Sequence, residues 1–312
     1  MSQGVPSETG DKLRAVLAQI PEWGDKSFVL TPVRGGLTNV NWRVEVEGDR
    51  QSYFVKVPGP GTEKFIDRAT VNAATRQAAD MGVGPAVLFY DPDTGIEVSE
   101  FLSDYRPCST EDLSPPEAVA QVMGLYRTWH TGPALPQTKT IFDMVEEHRE
   151  QFRRDGTVIP AWVEEVLTTY DEAAARFIAS GLDMVPCHND PNPSNFMRST
   201  VKPMKPMKLI DYDYASNNER SYEIGVFVGG YFLDDDRTRQ AIESYCGHCD
   251  PQLWARALVM RVIADVKWGL WALVRAGEYG GDFDYYKYGL WDLKRAHFHI
   301  HATDWQDQVE RL

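Results

Sequence analysis

The chain has 312 residues, 43% hydrophobic and 12% aromatic, and 46 acidic against 32 basic side chains give a formal net charge of −14. That length favours two lobes and can bury a sizeable core, and the composition is not that of a disordered chain. The acidic balance argues against nucleic acid or an anionic membrane as a main partner, because both reward basic surfaces; it suits a cationic substrate, or plain solubility.

Residues 1–10 read as a frayed terminus, and Asp11 to Leu17 carries a short helical pattern ended by Pro21. Strands are expected at Phe28 to Thr31, Val40 to Val46 and Tyr53 to Val57, with Arg34-Gly-Gly-Leu-Thr-Asn39 and Glu47-Gly-Asp-Arg50 as the turns between them. A glycine turn there serves either as a plain hairpin turn or as a cradle whose backbone N–H groups approach phosphates. Lys56, between Val55 and Val57, is either a solvent-facing strand residue or a point charge reaching nucleotide phosphates.

Pro58 to Gly61 breaks the chain before an alanine-rich helix, Phe65 to Met81, stopped by Gly82. Kinases place a glutamate on this helix to pair with the strand lysine. This helix has none, and Glu63 just upstream is the nearest candidate. Strands at Ala86 to Tyr90 and Ile96 to Leu102 flank the turn Asp91-Pro-Asp-Thr-Gly95. The expected architecture is α+β: a small antiparallel-sheet lobe with one helix over residues 1–103, and a larger, mostly helical lobe over 104–312. Glu100 and Leu102, in the segment Glu100-Phe-Leu-Ser103, stand where a kinase hinge offers backbone groups to adenine. Helices follow at Pro116 to His130, Phe142 to Arg153 and Ala161 to Ser180. Beyond residue 215 they resume at Tyr222 to Leu233, Arg237 to Tyr245, Pro251 to Arg275 and Tyr285 to Thr303.

Pro186-Cys-His-Asn-Asp-Pro-Asn-Pro-Ser-Asn-Phe-Met197 interrupts the helices, and Pro191 and Pro193 favour an extended loop there. It places His188 two residues before Asp190 and Asn195 five after, the spacing of the H-R-D-L-x-x-x-N catalytic loop. Downstream, Lys208-Leu-Ile-Asp-Tyr-Asp-Tyr214 sets Asp211 after an apolar run. Phosphoryl transfer needs one carboxylate to orient and deprotonate the attacking hydroxyl, and an amide oxygen and second carboxylate to hold Mg²⁺. Asp190, Asn195 and Asp211 offer that set, and the reading requires them to meet around one ion. His188 is expected to brace the loop, and Asp213 to stabilise its own loop or assist at the metal.

With these pieces the chain resembles the choline/ethanolamine kinase family. The matching stretches are Gly35-Gly-Leu-Thr-Asn39, strand Lys56, Gly61-Thr-Glu-Lys-Phe-Ile-Asp-Arg68, Cys187-His-Asn-Asp190 with Asn195, Ile210-Asp-Tyr-Asp-Tyr-Ala215 and Trp268-Gly-Leu-Trp271. They run in the family's order from residue 31 to about 290. The resemblance implies a two-lobe protein-kinase-like fold using ATP and Mg²⁺. It implies Asp190 as base, Asn195 and Asp211 as metal ligands, Gly35, Gly36, Leu37, Thr38 and Asn39 as the phosphate loop, and Trp268, Trp271 and Tyr285 around the substrate's ammonium group. The chain departs from the family at Val71, where a helix glutamate is usual, and at Gly229 and Gly230, where an acidic or aromatic residue is. Independently, tryptophans three apart share a helix face, and a quaternary ammonium gains about 0.5–2 kcal/mol per cation–π contact. Core packing is the other reading of the pair. Asp265, one turn earlier, either faces the cation or forms a salt bridge.

The implied activity is phosphorylation of the hydroxyl of a small amino alcohol, choline or ethanolamine. Another hydroxylated amine such as thiamine or an aminoglycoside is the second reading, and a nucleotide-binding pseudokinase the third. Cys108, Cys187, Cys246 and Cys249 are too few for a disulfide scaffold. Cys246-Gly-His-Cys249 lacks the second ligand pair a structural zinc site needs. His297, His299 and His301 alternate near the C-terminus at a spacing that does not converge on one point of a helix, and they read as surface residues. No apolar run reaches the roughly 18 residues of a membrane span, and the polar N-terminus lacks signal-peptide character. A reduced, cytoplasmic protein without membrane insertion is expected, as monomer or dimer.

Overall fold

Trp42, Val44 and Val46 alternate along one strand, and Tyr53 and Val55 along the next, so one sheet face is apolar by construction. In the computed structural model, which describes residues 13–21, 23–24, 26–33, 39–59, 61–62, 66–156, 159–278 and 283–312, that face closes a core with Leu13, Leu17, Ile20 and Trp23. Trp23 meets Tyr53 edge-on, centroids 4.8 Å apart. The strands are β1 (Phe28–Val33), β2 (Asn39–Val46), β3 (Ser52–Pro58), β4 (Val87–Tyr90) and β5 (Glu97–Glu100). They form one antiparallel sheet in the order β1-β2-β3-β5-β4.

The other sheet face is polar where it matters. Lys56 follows Val55 and so points away from the apolar core, and its register partner on β5 is Glu97. Helix α1 (Arg68–Asp80) covers this face: Thr75 on it donates to Glu97 at 3.2 Å. Asp67 caps α1 by accepting from the N–H of Ala69, which starts the helix three residues later than the sequence pattern suggests. Gly82 ends it at φ 72°, as expected of a glycine stop. A second, three-stranded sheet joins β6 (Tyr105–Pro107), β8 (Phe196–Ser199) and β9 (Lys208–Leu209). Lys208 reaches the carbonyls of Gly82 and Gly84 at 2.7 and 3.2 Å, tying the segment before Asp211 to the end of α1. Met1–Pro107 and Phe196–Tyr214 make one compact unit, and Cys108–Asn195 and Ala215–Leu312 the other.

The second unit is mostly helical. Its helices are α2 (Thr110–Leu113), α3 (Pro116–Trp129), α4 (Ile141–Asp155), α5 (Ala161–Ala179), α6 (Ser221–Gly230), α7 (Asp235–Cys246), α8 (Pro251–Glu278), α9 (Tyr285–Ile300) and α10 (Trp305–Glu310). Strands β7 (Met184–Cys187) and β10 (Ser216–Glu219) pair antiparallel within it. The long α8 packs against α4, α5, α6 and α9. Glycine permits the closest approaches: a Cβ on Gly225 would lie 2.8 Å from the Arg261 nitrogen and the Met260 carbonyl carbon of α8. Gly289 of α9 meets the Gly269 carbonyl in the same way, at 2.7 Å.

Two substitutions separate close packing from helix propensity. Gly225→Ala should lose about 1–3 kcal/mol of stability through overpacking. Gly124→Ala, within α3 and with nothing near its Cβ position, should gain about 0.5–1 kcal/mol from helix propensity. Denaturant unfolding of the two variants reads both signs.

Candidate active site

In the first unit, Lys56 Nζ lies 2.6 Å from Asp213 and 3.3 Å from Asp211, and it is buried. Burial alone would pull the ammonium down, but Asp213, Asp211 and Glu97 together hold its pKa well above the usual lysine range. The same contest shows on the acids. Burial raises Asp213, yet Lys56 and a hydrogen bond from Asn39 (2.8 Å) overcome it and hold the carboxylate low. Glu97, farther from the ammonium, stays raised by burial. The lysine therefore pairs with the two aspartates of the Ile-Asp-Tyr-Asp segment, with a strand glutamate behind them. No helix glutamate is needed. Val71, at the departure from the family pattern, is simply buried core.

Asp211 itself adopts φ 66°. This left-handed conformation is uncommon outside glycine and best tolerated by Asn and Asp. Of the expected phosphate loop, Asn39 opens β2, while Gly35, Gly36, Leu37 and Thr38 lie outside the described residues, as does Glu63. Glu100 ends β5 and donates its N–H to Ala86, and the Leu102 carbonyl accepts from Tyr105.

In the second unit, the loop after β7 is fixed from both sides. The N–H groups of His188 and Asn189 both donate to one oxygen of Glu223, each at 3.0 Å. Asn189, at φ 68°, bonds Ser216 and Asn218 through its side chain, and its carbonyl accepts from Tyr222. The N–H of Asp190 donates to His188 Nδ1 at 3.3 Å, a hydrogen bond within the loop. The Asp190 carboxylate accepts from Asn192 at 3.1 Å, and Asn195 ends the short 3₁₀ turn that follows. Tyr231 donates to the Pro191 carbonyl at 2.6 Å. Asp190 is thus presented from a backbone held at nearly every residue.

Trp268, Trp271 and Tyr285 do come together. Centroids lie 5.4 Å apart for the two indoles and 5.8 Å for Trp271 and Tyr285, both pairs edge-to-face rather than with faces aligned side by side. The cluster is tied to the loop: Trp268 Nε1 donates to the Tyr222 hydroxyl at 3.1 Å, and that hydroxyl donates to Asn189, the residue before Asp190. Lys267 Nζ stands 3.0 Å from the Trp268 ring centroid, in a buried cation–π contact. Asp265 does not join the cluster; both its oxygens are held by Arg295 of α9. Gly230 leaves open space beside α6, whereas a Cβ on Gly229 would strike Arg261.

The sequence reading missed Glu97, Glu223 and His130. Glu97 had a signal, a charged residue between Ile96 and Val98 that repeats the pattern around Lys56. Glu223 had only its place in a helix first turn, which favours any acid. His130 is buried behind the loop. Its Nε2 is 2.6 Å from the second Glu223 oxygen and its Nδ1 2.5 Å from the Tyr245 hydroxyl. Burial keeps Tyr245 protonated, so Tyr245 O–H can donate to Nδ1, Nε2–H to Glu223, and Glu223 can receive both loop amides. His130→Leu should lower kcat about ten- to a hundredfold with acceptor KM within a few-fold, and speed amide hydrogen exchange at His188 and Asn189. His130→Gln, which keeps a donor near Nε2, should restore most of both.

Residues 30–244 match the family described as Choline/ethanolamine kinase. A probable choline kinase 2 of Arabidopsis thaliana is 24% identical over 91% of this chain and 89% of its own length. A probable ethanolamine kinase A of Dictyostelium discoideum is 23% identical over 90% of each. The crystal structure of a choline/ethanolamine kinase family protein from Mesorhizobium loti superposes with a TM-score of 0.81 at 24% identity, covering 97% of this chain and 98% of that one. With a kinase-like sheet unit, a helical unit and the motif residues ordered as described, the chain belongs to the choline/ethanolamine kinase family, phosphotransferases whose acceptor is an alcohol.

Proposed function

We propose that this protein transfers the γ-phosphoryl group of ATP to the hydroxyl of choline or ethanolamine, giving a phosphomonoester and ADP. The observation that carries the reading is the hydrogen-bond chain from Trp268 through Tyr222 to Asn189, which fixes an aromatic cluster suited to an ammonium group beside the candidate base. Asp190 is assigned to orient the acceptor hydroxyl and take its proton, and Lys56 to neutralise phosphate charge.

Asn195 and Asp211 are assigned as Mg²⁺ ligands. The donors fit: an amide and a partly exposed carboxylate are hard oxygen ligands. Bound there, Mg²⁺ would neutralise charge developing on the phosphates. The chain's own residues do the rest. The carboxylates around Lys56 outweigh its burial and keep it protonated at any physiological pH. The amide-anchored loop keeps Asp190 in place without reorganisation during transfer.

A coupled ADP-release assay across choline, ethanolamine and larger amino alcohols tests the reading; no acceptor-stimulated release under Mg·ATP would overturn it. Asp190→Asn should lower kcat about 10²–10⁴-fold. Trp271→Ala should raise KM for the acceptor about tenfold, the loss of one good cation–π contact. Chelating the metal should abolish turnover and added Mg²⁺ restore it, with Asp211→Asn shifting the Mg²⁺ requirement upward.

A further inference from the structure

The alternating histidines near the C-terminus play no part in the site above. His297 and His301 are four apart on and just past α9, which brings their rings to the same side with centroids 4.4 Å apart. Glu165, from the first turns of α5, reaches both: its oxygens lie 3.1 Å from His301 Nε2 and 3.7 Å from His297 Nε2. His299 lies off this side, so the three histidines do not converge but two of them do. Trp162, also on α5, meets the His297 ring edge-on at 5.6 Å.

Hydrogen-bond polarity sharpens the arrangement. His301 Nδ1 is 2.7 Å from the His297 carbonyl, which can only accept, so Nδ1 carries a proton. In the neutral ring, Nε2 is then a bare lone pair facing a carboxylate oxygen. Two acceptors 3.1 Å apart need either a proton or a metal ion between them. A ring nitrogen whose partner N–H is spent on a backbone carbonyl is also how protein imidazoles are oriented toward metals.

We propose that Glu165, His297 and His301 form a binding site for a divalent transition-metal ion, Zn²⁺ being the best match, which clamps α5 to α9. Nitrogen and oxygen ligands about 2.0–2.1 Å from a tetrahedral ion stand about 3.3 Å from one another. Glu165 Oε1 stands 3.1 Å from His301 Nε2, close to that value, and the other carboxylate oxygen stands 3.7 Å from His297 Nε2. One ligand atom from each of the three residues lies within 4.8 Å of the others. Two imidazoles and one carboxylate leave a fourth position for water, and the nitrogen-rich set selects against Mg²⁺. Because α9 begins with Tyr285 of the aromatic cluster, the clamp steadies the helix that presents it.

Isothermal titration of the metal-stripped full chain with ZnCl₂ in excess Mg²⁺ tests the site. One ion per chain should bind at micromolar concentration and raise the thermal midpoint. His297→Ala and His301→Ala should each abolish binding, and Glu165→Gln should weaken it about tenfold. None of the three should change phosphotransfer without zinc, so the outcome is read apart from the proposed activity. Absence of saturable binding below millimolar zinc, with a proton on His301 alone satisfying Glu165, would overturn the proposal. So would binding that survives both histidine substitutions and is lost in Cys246→Ser/Cys249→Ser.

Discussion

A single buried carboxylate organises the loop that carries Asp190. Glu223 is almost wholly removed from solvent, a position that costs several kcal/mol for an ion left without partners. It is not left so. Two consecutive backbone amides share one oxygen and an imidazole takes the other. Consecutive N–H groups can point at one atom only if the chain turns sharply, and Asn189 makes that turn in the left-handed region. The conformation of the loop and the burial of the acid are therefore one feature. Neither is stable without the other, and the position of Asp190 follows from both.

The sheet unit solves the inverse problem. There the buried ion is a cation, and three carboxylates surround it at graded distance. Asp213 and Asp211 are bonded to Lys56, while Glu97 acts only through the field. Three carboxylates face one ammonium, and burial raises the pKa of Glu97 against the pull of Lys56, with Asp213 adding to the rise. An excess of carboxylates around one ammonium favours a further cation nearby. The absent helix glutamate is no defect in this arrangement. Thr75 on α1 holds Glu97, so the helix still orients an acid toward the lysine, from the neighbouring strand rather than from itself.

Much of this was legible from residue types. The period-two alternation of β2 and β3 identified the sheet, and the alanine-rich run with Gly82 identified α1. The fixed spacing of His188, Asp190 and Asn195 marked the loop. What stayed hidden depends on distance in the chain. Nothing local distinguishes Glu223 from any acid in a helix first turn, and its role comes from amides more than thirty residues away. Asp265 and Trp268 share a helix stripe, and spacing alone offered both to the same ligand. Only the position of Arg295 on α9, thirty residues on, claims the carboxylate and leaves the indole. Likewise His297 and His301 became a pair because α5 supplied Glu165 between them.

The aromatic cluster has an electrostatic character of its own. Its rings meet edge to face, so each presents its negative face in a different direction instead of stacking to fill the space. One of those faces, on Trp268, already carries the Lys267 side chain. That contact places an amine against the indole and covers part of its face. Burial drives Lys267 toward its neutral form, with the Asp190 charge opposing. A second positive charge beside the rings would add to that pressure. A cation held against the rings would be linked to loss of the lysine proton: the tighter it were held, the lower the Lys267 pKa would fall.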